Sequence, residues 1–348
     1  MSVPQHKVVS SSADITQMNA KERFLAVASK LTGLVEVEKV IQSKLHSDAQ
    51  QLEEIPRYLL SLGGKRIRPI LTLLVYQLFQ KSECKDLFDV AAGIELIHMA
   101  TLLHDDIIDR SALRRHKASP FVTYGLPGTL LAGDFLLVRA FALCAHLDTF
   151  IIDATEKACV ELTEGEILET SLQTTAHTIA SSLQIAQKKT ASLFRLSCES
   201  AAFLAGLPKE QITYLAQYGE NLGIAFQIVD DILDIVSSEA ELGKKPGTDI
   251  KERKPSMVNV LWLESGDEKA RQVLTDPAHG ELSDQQLEAL VVKLQTNPLL
   301  DKARDQARAF VAKAERALEE IARTHQGLDQ PTLMALRSLT QYAIERMD

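Results

Sequence analysis

Apolar residues recur along most of the 348-residue chain at spacings of three and four, the period of a helix that buries one face. Alternation of apolar and polar positions, the mark of a half-buried strand, nowhere persists beyond a few residues. The pattern predicts helices over about 20–47, 48–62, 69–81, 85–109, 128–147, 152–172, 176–205, 209–237, 254–264, 283–294, 298–323 and 330–346. Breaks fall at Gly63-Gly64, Ser119-Pro120, Gly125–Pro127, Gly206–Pro208 and Gly243–Gly247, where glycine and proline punctuate the chain. No low-complexity linker divides the run. Residues 21–348 are therefore expected to form one all-α domain, with the Ser/Gln-rich first twenty residues as a disordered tail.

Composition narrows the class. With 45% hydrophobic and 24% charged residues, the chain has the balance of a globular protein with a large core. Its formal charge of −9 gives no support for nucleic-acid binding, and an anionic ligand would need a local cluster of cations. The most apolar stretch, Gly128 to Leu147, is interrupted by Asp134 and Arg139, which argues against a transmembrane segment. Cysteines at 84, 144, 159 and 198 show no metal-ligand spacing and read as buried thiols in a reducing compartment. Without a signal core or an Arg-rich leader in the first twenty residues, a cytoplasmic protein is expected.

Two segments stand out against the helical background: Asp105-Asp106-Ile107-Ile108-Asp109 and Asp230-Asp231-Ile232-Leu233-Asp234. Each falls near the C-terminal end of a predicted helix. His98, Thr101, Asp105 and Asp109 share one face of the first, and Gln227, Asp230, Asp231 and Asp234 one face of the second. Three carboxylates within a turn and a half repel one another. At ~6 Å and an effective dielectric of ~20 each pair costs about 2–3 kcal/mol, and the negative end of the helix dipole adds to this. A fold that tolerates such a cluster twice is expected to place a cation between the carboxylates. Oxygen ligands without His or Cys suit a hard ion, Mg²⁺ in particular, which takes its remaining ligands from water and substrate phosphates. The core-like flanks Met99–Leu103 and Ile224–Val229 argue against the plainer alternative, a solvated acidic turn.

Cations accompany the acids. Gly63-Gly64-Lys65-Arg66-Ile67-Arg68-Pro69 sets three of them in a glycine-led loop that opens a helix, a natural anion site, although a solvated basic turn has the same composition. Arg114-Arg115 follow the first acidic cluster, and Lys188-Lys189-Thr190, Lys244-Lys245 and Lys254 lie around the second. Singly these are ordinary surface lysines and arginines; the informative feature is their order, with cation loop, acidic cluster, Arg pair, acidic cluster and Lys loop in succession.

Gly-Gly-Lys-Arg-x-Arg-Pro at 63–69, Leu-Leu-His-Asp-Asp-Ile-Ile-Asp at 102–109 with a following Leu-Arg-Arg, and Phe-Gln-Ile-Val-Asp-Asp-Ile-Leu-Asp at 226–234 together resemble the trans-isoprenyl diphosphate synthases, most of all the long-chain octaprenyl and solanesyl types. The likeness runs through residues 50–260, and the ending Gln341-Tyr342-Ala343-Ile344-Glu345-Arg346 looks like the longer-chain members. The resemblance implies an antiparallel helical bundle around a central cavity, a homodimer, and condensation of isopentenyl diphosphate with an allylic diphosphate. It implies that Asp105, Asp106, Asp109, Asp230, Asp231 and Asp234 bind Mg²⁺, and that Lys65, Arg68, His98 and Arg115 hold isopentenyl diphosphate. Arg114, Lys189, Thr190, Lys254 and Lys245 would grip the allylic diphosphate, with Lys244 the competitor of Lys245, and Gln227 would stand beside the reacting carbons. Departures are few: His116 stands where Gly usually follows the Arg pair, Glu169 where Gln is common, and Arg253-Lys254-Pro255-Ser256 where Gly-Lys-x-Thr is common.

Chain length should follow from what blocks the cavity beneath Asp105. Ala100 and Thr101, with Ile97 below, are small where short-chain members often carry aromatics. Each open helical turn adds ~5.4 Å of tunnel, about one isoprene unit. The expected product is a hexaprenyl-to-decaprenyl diphosphate for quinone side chains, released with a transient membrane contact, over a floor of Leu137, Phe141 or Cys144. A short-chain synthase is the alternative. Three other readings explain less. A metal phosphohydrolase of the His-Asp type leaves the second acidic cluster unused, a terpene cyclase needs no second diphosphate site, and a non-catalytic synthase subunit would have eroded motifs.

Overall fold

A computed structural model describes residues 19–172, 178–243, 245–276, 280 and 282–347. The chain passes through α1 (Ala20–Ala28), α2 (Gly33–Lys44), α3 (Gln50–Ser61), α4 (Ile67–Gln77) and α5 (Lys85–Ile108). A short hairpin of β1 (Leu113–Arg114) and β2 (Lys117–Ala118) leads to α6 (Pro120–Cys144) and α7 (Thr149–Leu172). Next come α8 (Ile179–Ile185), a π-helix at Ala186–Ala191, α9 (Ser192–Leu204) and α10 (Lys209–Val236). The remainder is α11 (Glu239–Leu242), α12 (Thr248–Lys251), α13 (Met257–Glu264), α14 (Glu268–Thr275), α15 (Asp284–Gln295), α16 (Leu299–Thr324) and α17 (Gln330–Glu345).

The all-α expectation holds, with local differences. The predicted first helix divides at Ser29–Thr32, and short α11, α12 and α14 were not anticipated. The helix expected from 128 begins at Pro120, capped by the Ser119 hydroxyl, and crosses Gly125 with φ 76°. Glycine tolerates that left-handed conformation, and the break expected at Gly125–Pro127 is present, with two helical segments meeting there at a kink. The hairpin was also unforeseen. It turns on Arg115 (φ 53°) and His116 (φ 64°), the two positive angles a two-residue turn of this type requires. The glycine usual at position 116 would meet that need without the strain a side chain adds.

Consecutive long helices joined by short connections run antiparallel. α5 packs most extensively against α6, and α10 against α16 and α9. From Leu87 to Ala100, α5 is buried almost all round. α10 passes through two apolar clusters, with Leu215, Tyr218 and Leu222 in one and Ile224, Ile228 and Ile232 in the other. Each fully buried Leu or Ile contributes about 1.5–3 kcal/mol. That is enough in sum to hold the carboxylates at the ends of α5 and α10 close together despite their repulsion.

Candidate active site

The C-terminal ends of α5 and α10 face a common hollow. Asp105 and Asp109 from α5, with Asp230, Asp231 and Asp234 from α10, line one chamber of ≈ 390 Å³. A second chamber of ≈ 850 Å³ is walled by Lys65, Arg68, His98 and Arg115, with Thr101, Leu102, Leu162, Phe194 and Phe226. The chambers share Asp105, Lys189, Thr190, Gln227, Asp230 and Arg346. The acidic patches therefore confront one another beside a cationic compartment.

In the acidic chamber every wall carboxylate but one has a local partner. Lys254 Nζ lies 3.0 Å from Asp109, and Arg346 lies 2.8 Å from Asp230. Asp231 accepts from Gln227 Nε2 at 2.9 Å and from the Met257 amide at 2.7 Å, and Asp234 from the Asp249 amide at 3.0 Å. Asp105 makes no side-chain hydrogen bond or ion pair among the described residues. Burial pushes its carboxyl up to about 7, against the pull of Lys189. Burial also raises Asp231, offset in part by Met257 and Gln227. A positive charge that joins such groups favours their ionised form. Among the described residues no His or Cys lines this chamber, so its donor set there is all oxygen, the chemistry of a hard divalent ion. Asp86, Asp89 and His146 also bring potential ligand atoms within 4.8 Å of one another. They sit at the opposite end of α5, and Lys85 already lies 2.7 Å from Asp89.

The π-helix places Lys189 and Thr190 together. Such an insertion re-aims side chains and frequently marks a functional site. It fits because its neighbours are glycines: a Cβ at Gly165 would lie 2.6 Å from Lys189 N, and one at Gly223 2.6 Å from Ala191 Cα. Thr190 donates to Gln227 Oε1 at 2.6 Å, which leaves the Gln227 amide to donate to Asp231. Lys189 Nζ sits 2.5 Å from Glu166 and 2.6 Å from Glu169. Burial alone would lower its pKa, but Glu169, Asp105 and Glu166 hold it above the ordinary value.

The cationic compartment is short of counter-charge. Arg66 spends its guanidinium on Glu38 at 2.6 Å and Glu95 at 3.2 Å. Arg68 lies over the Phe194 ring, and its Nε has no hydrogen-bond partner. Lys65 donates to the Tyr342 hydroxyl at 3.3 Å. Burial and the field of Arg68, Arg115, Arg114 and Arg66 push His98 well below its usual value, so its imidazole is neutral. Cations that outnumber the carboxylates beside them make a receptor for a polyanion.

Several expected positions differ. Asp106 is fully buried and lines neither chamber; it binds Arg114 instead, through Nε at 2.9 Å and Nη2 at 2.7 Å. One residue along a helix is a turn of 100°, which carries Asp106 off the face shared by Asp105 and Asp109. Lys245 pairs with Asp284 at the surface, 2.6 Å away, outside both chambers, and Lys244 lies outside the described residues. Thr101 faces the cationic chamber, whereas Ala100 and Ile97 are enclosed in the core. Phe141 points outward and is no floor; Cys144 is buried beside Gly93. Sequence reasoning passed over Glu166 and Arg346, whose nearest signal was acidic or basic character opposite a complementary cluster.

The profile of the polyprenyl synthetase family matches residues 49–294. The chain belongs to that family. It is a prenyltransferase. It is 34% identical, over 89% of its length and 94% of the relative's, to an all-trans-nonaprenyl-diphosphate synthase (geranyl-diphosphate specific) of Rhodobacter capsulatus. It is 32% identical, over 74% and 80%, to a short chain isoprenyl diphosphate synthase of Methanocaldococcus jannaschii. A polyprenyl synthase from Caulobacter crescentus, solved with calcium and isoprenyl diphosphate, superposes with a TM-score of 0.85 at 30% identity, covering 94% of this chain and 98% of that one. This polyprenyl synthetase thus has the all-α isoprenoid synthase architecture.

Proposed function

We propose that this enzyme condenses isopentenyl diphosphate with an allylic diphosphate, with Mg²⁺ in the acidic chamber, and extends the product to a long-chain polyprenyl diphosphate for quinone side chains. The observation that carries the proposal is the shared wall: an all-oxygen acidic chamber and a cationic chamber meet at Asp105, Lys189 and Gln227. One suits a metal-bound diphosphate and the other a second diphosphate, so two substrates would lie end to end. Asp105, Asp109, Asp230 and Asp234 would hold Mg²⁺, with Asp231 orienting Gln227. The ion would supply positive charge to the departing diphosphate.

Lys189 and Lys254 hold the allylic diphosphate from the sides. Lys65, Arg68 and Arg115 hold isopentenyl diphosphate so that its double bond faces the allylic carbon as the C–O bond breaks. Loss of a proton from the new chain, to the released diphosphate, restores an allylic product. Leu102, Leu162, Phe194 and Phe226 keep water from the cation. The test is incubation with labelled isopentenyl diphosphate and geranyl, farnesyl or geranylgeranyl diphosphate, with Mg²⁺ or with chelator. Long prenyl products formed only with the metal are expected; no incorporation with any primer would refute the assignment.

A homodimer completes the proposal. α5 and α6 are both long and apolar enough to cross a membrane, but α5 is mostly buried inside the protein and α6 is not. Val122, Leu130, Leu131, Val138 and Phe141 of α6 stand exposed. Exposed apolar residues gathered on one helix mark an interface, and a second copy is their natural cover. All four cysteines are free, in keeping with a cytoplasmic enzyme.

A further inference from the structure

Lys189 stands among more carboxylates than it can serve. Its ammonium has three N–H donors; one donates to Glu169 at 2.6 Å, and Glu166, one turn away on α7, pairs with it at 2.5 Å. Asp105 lies within its field, and Lys189 is the strongest attractive charge that Asp105 feels. Even so, Asp105 forms no ion pair among the described residues. A flexible lysine beside a half-buried, unpaired carboxylate should close on it, because each group lowers the cost of burying the other. Here the lysine is held back. The π-helix fixes its backbone against Gly165, and the next residue along α7 from that glycine is Glu166.

We propose that Glu166 and Glu169 are positioning residues that restrain Lys189 from capping Asp105, which keeps that carboxylate open for the metal while leaving the third N–H for the allylic diphosphate. The proposal rests on the metal assignment above. It explains why α7 brings two further acids to a site already crowded with negative charge. Glu169, also the foremost attractive charge on Lys254, serves both lysines in the same way.

The experiment measures binding. Farnesyl thiolodiphosphate, which resists ionisation, is titrated calorimetrically into the full chain at stepped Mg²⁺ concentrations. The wild type should bind in a Mg²⁺-dependent manner and Asp105→Asn should lose that dependence; if neither holds, the metal assignment fails and not the restraint. For the Glu166→Gln/Glu169→Gln double variant, the Mg²⁺ concentration at half-maximal binding should rise about tenfold, the effect of an ion pair of about 1.4 kcal/mol competing for Asp105. Adding Lys189→Met should return it close to the wild-type value even as ligand affinity falls. An unchanged Mg²⁺ requirement would overturn the proposal. So would a rise that Lys189→Met does not relieve, since the glutamates would then act on the metal themselves. If the double variant does not fold, Glu169→Gln, which installs the residue common at that position, gives the same test with a smaller rise of about threefold.

Discussion

Arg114 grips Asp106 with two nitrogens on one carboxylate oxygen, at 2.9 and 2.7 Å, in a pocket that leaves Asp106 no solvent exposure. The middle residue of the first aspartate cluster therefore braces the hairpin that carries Arg115, while Asp105 and Asp109 face the acidic chamber. Asp105→Ala should abolish Mg²⁺-dependent binding with little loss of stability. Asp106→Ala should keep the Mg²⁺ requirement but lower the melting temperature, because the partly buried Arg114 guanidinium loses its partner and a hydrogen bond to a charged group contributes about 1.5–3 kcal/mol. Thermal unfolding and Mg²⁺ titration of the two variants separate these roles; the same phenotype in both would refute the division.

Product length should respond to the wall of the cationic chamber. Thr101 faces open space, so Thr101→Phe should shorten the product by at least one isoprene unit at little cost to stability. Ala100 is enclosed in the core, and Ala100→Tyr should shorten the product too, with a loss of about 1–3 kcal/mol from overpacking. Chromatography of the labelled products, beside melting curves, reads both effects. An unchanged distribution in both variants would remove the tunnel from this wall.

The metal-free protein should lose stability as pH rises. Burial lifts the Asp105 carboxyl from 3.8 to about 7, so between those values the folded state keeps a proton the unfolded chain has released. Stability then falls through that window and levels off above it. In chelator, the melting temperature should be higher at pH 5.5 than at pH 8, and Asp105→Asn should flatten the slope. Mg²⁺ with diphosphate should reverse it, because the metal binds the ionised carboxylate.

Charge on the outer face of α6 should separate the protomers. Val138 and Phe141 are 65% and 43% exposed, and Val138→Glu/Phe141→Glu adds two like charges per copy. Sedimentation should shift from dimer to monomer; a wild type that already sediments as a monomer would dismiss this interface.

Much of this was legible in the sequence because its information is local. Carboxylates four apart on an apolar helix share a face whatever surrounds them, and Asp105 with Asp109, and Asp230 with Asp234, sit where that arithmetic puts them. The misjudged positions depend on distant partners. Lys245 is claimed by Asp284, and Glu166 acquires its role from a lysine on another element. Gly125 and Pro127 look like a helix break and are one, but a helical segment from Pro120 precedes it. The hairpin escaped notice because two-residue strands carry no periodicity, and His116 was the single clue to its turn.

The π-helix at Ala186–Ala191 has a consequence for how this protein could drift. Wound with one residue more per turn than its flanks need, it would relax into regular helix if a single codon within it were lost. Everything beyond the deletion would rotate by 100° or slide along its axis, and the lysine would no longer meet its glutamates. The segment could become more regular in the very change that silenced the enzyme.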